Sequence, residues 1–211
     1  TWLYRLAAVG LAIVMGGLFL WVLGYNPFLV YAAMLKGALG SAGMQKETIQ
    51  LMIPLCLTAL GVTLAFKMRF WNIGAEGQIC AGAIAASYFA YFHNGMPRTL
   101  LLVVMAVSAI IFGGLWGLIP AYFKTRFGTN ETLFTLMLNY IIGYVITYLR
   151  EGPWRTPEGG FAAMPRFVKE ARLPEVWFPG VGNIHIGWIV MFIMVLGIFF
   201  YLRHTKQGYE I

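Results

Sequence analysis

The 211-residue chain contains no aspartate at all; its eight acidic residues are all glutamate. Chemistry that needs paired aspartates, or an Asp-bearing cation loop, is therefore unavailable to it. Charge of either sign is scarce: 11% of residues are charged and 60% are hydrophobic, with a mean hydropathy of +0.73. Soluble domains of this size carry about 25% charged residues, so a water-soluble globular fold is excluded. The two cysteines, Cys56 and Cys80, both lie in apolar runs and are too few for a disulfide scaffold. Phosphate-binding G-x-x-x-x-G-K-[ST], G-x-S-x-G and H-E-x-x-H patterns are missing, which removes ATP binding of the P-loop type and the common hydrolase signatures. His93, His185 and His204 stand apart, with no Cys or carboxylate at metal spacing, so no metal site is expected.

What the chain does have is long apolar runs. A bilayer core of about 30 Å takes roughly 20 apolar residues as helix. Six segments approach that length, at about 3–24, 48–66, 72–92, 99–123, 133–149 and 183–202. Runs such as Leu100-Leu-Leu-Val-Val-Met-Ala-Val do not alternate, which argues against a β-barrel. The reading is an all-α, polytopic membrane protein of about six transmembrane helices in a single domain over 1–211. Arg5 precedes an apolar stretch too long for a signal-peptide core, so the first run reads as a span.

The 15 Lys and Arg are scattered between apolar runs rather than gathered on one stripe, which disfavours nucleic acid as the reason for a formal charge of +7. They read instead as topology. Placing both ends in the cytoplasm puts Arg5, Lys67, Arg69, Lys124, Arg126, Arg203 and Lys206 in short inner segments. Raw counts on the two sides are nearly even, and density in short loops decides the orientation. The loop at about 150–182 is rich in Pro and Gly yet also holds Trp154, Phe161, Phe167, Trp177 and Phe178. That many aromatics point to an ordered extracytoplasmic cap, serving either as a docking surface or as a seal over its own bundle.

Small residues mark close helix packing: Gly113 and Gly117 form a G-x-x-x-G pair, and Ala81 with Ala85 and Gly82 with Ala86 repeat the spacing. Pro54 and Pro120 are expected to kink or shorten their helices. Two polar features stand out at membrane depth. In Asn72-Ile-Gly-Ala-Glu-Gly-Gln78, two glycines bracket Glu76, so the backbone is free to leave helical geometry and offer polar groups to a solute. A charge at the centre of a membrane helix costs about 3 kcal/mol, so Glu76 must be paired, protonated or near water; an ordinary interfacial ion pair with Lys67 or Arg69 is the plain alternative. In the fifth span Asn139, Gly143 and Thr147 recur every four residues, with Tyr140 and Tyr144 beside them. This stripe suits a solute with a ring and hydroxyls, or else hydrogen bonding between helices. Upstream, Asn130 reads as a helix cap with Glu131 favoured by the dipole.

Three stretches, Ala59-Leu-Gly-Val-Thr-Leu-Ala-Phe-Lys-Met-Arg-Phe-Trp-Asn-Ile-Gly-Ala-Glu-Gly-Gln78, Gly128-Thr-Asn-Glu-Thr-Leu-Phe-Thr-Leu-Met-Leu-Asn-Tyr140 and Thr205-Lys-Gln-Gly-Tyr-Glu-Ile211, resemble permease subunits of bacterial ABC importers. The superfamily is that of the ribose and branched-chain amino acid permeases, and Asn-Ile-Gly-Ala-Glu-Gly-Gln is similar to its nucleoside and simple-sugar branch. The resemblance implies a non-enzymatic, multi-pass subunit of the bacterial inner membrane that needs no cofactor of its own. The implied partners are a second permease, identical or paralogous, two cytoplasmic ATP-binding subunits, and an extracytoplasmic solute-binding protein or lipoprotein. It also implies that the chain, which starts at Thr1 and stops in mid-phrase, is the N-terminal part of a larger permease lacking its ATPase-coupling segment. Asn72, Glu76, Gln78, Asn139, Tyr140 and Tyr144 are the expected lining of the solute pathway. An ion-coupled carrier or channel using Glu76 is the rival, and a membrane scaffold is a third reading.

Overall fold

The computed structural model describes residues 2–93, 95–156 and 162–211. Pro157, Glu158, Gly159, Gly160 and Phe161 of the expected cap lie outside the described residues. The described chain is almost wholly helical: α1 (Trp2–Val22), α2 (Pro27–Leu39), α3 (Ala42–Lys67), α4 (Ala75–Phe92), α5 (Arg98–Phe127), α6 (Glu131–Glu151), α7 (Gly187–His204) and a short α8 (Lys206–Glu210). Five of these, α1, α3, α5, α6 and α7, are long and apolar enough to cross a membrane. The all-α, multi-pass reading is thus met, and the number of apolar spans is five where about six were expected.

The expected third span is the one that differs. Residues 68–74 are not helical, and α4 begins only at Ala75. Arg69 adopts a left-handed φ of 56°, which ends α3, and the non-helical stretch through Gly74 delays the restart. With Glu76 and Gln78 in its first turn and Ala and Gly along its length, α4 is made for contact with protein rather than lipid. Gly77, Ala81, Gly82, Ala85 and Ala90 are all buried.

Contacts divide the described chain into two units, one running through Met52 and including Val176–Ile184, the other Ile53–Glu175 with His185–Ile211. In the first, Asn26 caps α2 through bonds from the N–H groups of Phe28 and Leu29, and Pro27 occupies the first turn where its missing N–H is harmless. Tyr31 donates to the carbonyl of Ile13 at 2.7 Å, packing α2 on Gly16 and Gly17 of α1. Helix α2 lies between the first two expected spans, where no element was expected, and at 13 residues it is too short to span. The loop after α6 also holds a hairpin of β1 (Glu175–Phe178) and β2 (Gly182–His185), which displaces the start of the last span from 183 to Gly187. Gly180 and Gly182, at φ 79° and 98°, make that turn.

In the second unit α4 runs antiparallel to α5 in very close contact. A Cβ on Gly82 would stand 2.8 Å from the carbonyl oxygen of Ala109, and one on Gly113 would stand 3.1 Å from that of Gln78. The small-residue spacings are therefore packing devices, as expected. Leu101 of α5 and Ala90 of α4 close one end of this pair together with Ala171, Phe167 and Val168 from the loop. Trp154 is buried against the rings of Tyr91 and Phe92, Tyr91 donates to the carbonyl of Pro165 at 3.1 Å, and Arg98 donates to that of Arg172. This part of the cap seals its own helices; Trp177, on β1, stays exposed.

Candidate functional site

Irregular backbone is tolerated at membrane depth only where something satisfies its N–H and C=O groups. The connector between α3 and α4 solves this with one face of α6. At its outer end the N–H of Trp71 lies 3.5 Å from Glu131 Oε1, and Thr132 Oγ1 donates to the Trp71 carbonyl at the same distance. Further in, the N–H of Ile73 donates to Thr135 Oγ1 at 3.3 Å. Furthest in, Asn139 works in both directions: its Oδ1 accepts from the N–H of Gly77 at 2.9 Å, and its Nδ2 donates to the carbonyl of Ile73 at 3.0 Å. Glu131, Thr135 and Asn139 are spaced four apart, which aligns them on one helical face. At a rise of about 1.5 Å per residue, the row reaches about 12 Å into the helix.

The row begins in an ion pair between Lys124, in the last turn of α5, and Glu131, in the first turn of α6. Both charges suit the helix dipoles they meet. Asn130 caps α6 as expected, accepting from the N–H of Leu133 at 3.1 Å. Lys124 also sits over the ring of Phe70, 5.1 Å from its centre, tying the connector to α5.

The six expected pathway residues separate into three settings. Asn72 accepts from the N–H of Gly74 at 2.8 Å and so shapes its own loop. Asn139 is the clamp just described. Gln78 is half-buried, with its amide in the notch left by Gly117, where a Cβ would stand 2.8 Å from Gln78 Nε2. Glu76, in the first turn of α4, is exposed and, among the described residues, forms no ion pair with Lys67, Arg69 or any other cation. Tyr140 and Tyr144 lie on a different face of α6 from the clamp, 65% and 76% exposed, with Tyr148 continuing the stripe at 69%. Thr147, expected on the polar stripe, bonds back to the carbonyl of Gly143 within its own helix.

Thr135 was missed, though it is 1% exposed and central to the clamp. Its signal was the four-residue spacing from Glu131 to Asn139, masked by reading the stripe onward from Asn139 to Gly143 and Thr147. Trp116 was missed as well. Its indole nitrogen is buried without a hydrogen-bond partner among the described residues, and a Cβ on Gly77 would stand 3.1 Å from it and 2.6 Å from Asn139 Oδ1. A buried donor without an acceptor costs about 1–3 kcal/mol. An apolar cleft of about 530 Å³ opens beside it between α4, α5 and α6, lined by residues such as Ala81, Phe112, Leu115, Trp116, Ile142 and Val145. None of the six expected residues lines it.

A family model described as the branched-chain amino acid transport system permease component matches residues 44–211. The chain is 37% identical to a nucleoside ABC transporter permease protein of Lactococcus lactis subsp. cremoris, over 70% of this chain and 40% of that one. It is 30% identical to a glucose ABC transporter permease protein of Haloferax volcanii, over 95% of this chain and 54% of that one. Identity is again 30% to a guanosine ABC transporter permease protein of Bacillus subtilis, over 99% of this chain and 60% of that one. The chain thus spans about half the length of these relatives. No solved structure matches it. With most of its length, from residue 44 to its last residue, under one family model, the chain belongs to the permease components of the branched-chain amino acid transport type.

Proposed function

We propose that this chain is the part of an ATP-driven importer through which a nucleoside or simple sugar crosses the bacterial cell membrane. The observation that carries the reading is a set of polar side chains that are exposed and, among the described residues, make no hydrogen bond or ion pair: Glu76, Tyr140 and Tyr144. A lipid-facing carboxylate costs about 3 kcal/mol, and a phenol facing hydrocarbon loses its hydrogen bonds to water, so these faces belong against an aqueous path or a second subunit. Phenol rings and hydroxyls on one helix match a solute that carries both a ring and hydroxyls. The names of the relatives from Lactococcus, Bacillus and Haloferax support the same solute class.

In this reading the chain pairs with an identical or paralogous permease, so that the tyrosine face of α6 borders the path between them. Two cytoplasmic subunits bind and hydrolyse ATP, and a solute-binding protein or lipoprotein docks on the 150–182 loop, where Trp177 is exposed. Both ends lie in the cytoplasm, with α4 crossing as a sixth, protein-enclosed segment between α3 and α5, which accounts for Lys67 closing α3, Lys124 and Arg126 closing α5, and Arg203 and His204 closing α7. Glu76, Gln78 and the α6 tyrosines line the path, while Asn72 and Asn139 hold its inner end in shape.

The test is to purify the full-length gene product in mild detergent, identify its companions by mass spectrometry, and reconstitute the complex in vesicles. Stoichiometric ATPase and binding protein, with nucleoside or sugar uptake that requires ATP, is the expected result. Uptake by the isolated permease on an ion gradient alone would replace this reading with the ion-coupled carrier.

A further inference from the structure

The start of α4 has no cap of its own. Gly74 stands at the N-cap position and offers no side chain, so the N–H of Gly77 is capped from another helix, by Asn139 of α6. The same side chain holds the carbonyl of Ile73, on the other side of the break. The orientation of the Asn139 amide follows from its two partners, an N–H facing oxygen and a C=O facing nitrogen. One carboxamide therefore joins the connector, α4 and α6.

Beside it lies a donor that has nowhere to go. Trp116 Nε1 is buried and has no hydrogen-bond partner among the described residues, and it and Asn139 Oδ1 converge on the same point, the space over the Gly77 Cα where a Cβ is missing. An indole N–H donates and cannot accept, so the only relief open to it is an acceptor. We propose that Asn139 is a positioning residue with two alternative donors. In the arrangement seen here its oxygen caps Gly77; when α4 shifts against α5 and α6, the oxygen passes to the Trp116 indole.

Each arrangement gives the oxygen to one donor and withholds it from the other, so the exchange trades one hydrogen bond for another, the setting of a two-state element. Gly82 against the Ala109 backbone and Gly113 against that of Gln78 bring α4 and α5 into backbone contact, and a small slide carries the Gln78 amide along the open side of α5 at Gly117. Resting on the importer reading, this switch is the step that moves Glu76 and Gln78, on the first turn of α4, between two accessible states.

The experiment compares hydrogen exchange over residues 73–79 in the full transporter, wild type against Trp116→Phe, which keeps the ring and deletes the N–H. Losing the competing donor leaves Gly77 capped more of the time. Exchange there should slow about tenfold, equivalent to about 1.4 kcal/mol, and uptake turnover should fall while half-saturation holds. Asn139→Leu should instead speed exchange in the same segment. Unchanged or faster exchange in Trp116→Phe, with the helices otherwise protected as in wild type, overturns the switch. Because exchange is read without transport, a failure of the importer reading would show separately, as uptake that needs no ATP.

Discussion

The two polar faces of α6 invite comparison. Glu131, Thr132, Thr135 and Asn139 are each engaged by the connector or by Lys124, whereas the hydroxyls of Tyr140, Tyr144 and Tyr148, on the same helix, are largely exposed and make no hydrogen bond among the described residues. Polarity in a membrane helix thus has two separate causes here. One face supplies hydrogen bonds to backbone that has left the helix; the other keeps hydroxyls where lipid would not favour them. A polar stripe alone does not say which is which, because both periodicities run along the same cylinder.

The comparison breaks most severely at Gly77. A Gly77→Val side chain would enter the space held by Asn139 Oδ1 and Trp116 Nε1, forcing α4 away from α6 and opening the clamp. A loss of about 3 kcal/mol is expected, read as a lower unfolding temperature in detergent. Next comes Thr135→Val, which keeps shape but strands the N–H of Ile73 in a site where Thr135 is 1% exposed. Its cost should be about 1–3 kcal/mol by the same assay. Lys124→Met removes one member of a half-exposed ion pair, and its effect on unfolding should be small and fade as salt is raised. At the far end, Tyr140→Phe and Tyr144→Phe should leave unfolding within about 0.5 kcal/mol of wild type yet raise the half-saturation for uptake. An unfolding loss as large as that of Thr135→Val would move the tyrosines to the structural face.

The helices themselves were readable because the apolar runs from Trp2, Arg98 and Gly187 are long and continuous, and a bilayer leaves an apolar segment of that length few alternatives. Boundaries were less so. The third span was drawn from 72, yet residues 72–74 stay out of the helix, with the N–H and C=O of Ile73 satisfied by Thr135 and Asn139 of α6, a condition that no local propensity reports. The hairpin at 175–185 was hidden in a Pro- and Gly-rich loop whose turn glycines look the same whether or not strands flank them. Asn139 was picked out from its depth and its place on the four-residue stripe, while Thr135, four residues before it, was passed over because the stripe was read only onward to Gly143 and Thr147; its hydroxyl bonds both its own helix at Thr132 and the connector at Ile73.

Composition and run length by themselves determined the membrane setting, the helical class and the residues rich enough in polarity to matter, since solvation in lipid acts on each segment independently. Which polar groups would meet was decided only by the tertiary structure. The left-handed turn at Arg69 brings 71–77 alongside α6, and the missing Cβ of Gly77 lets Asn139 and Trp116 converge on one point, both consequences of packing between segments some 40 or 60 residues apart in the chain.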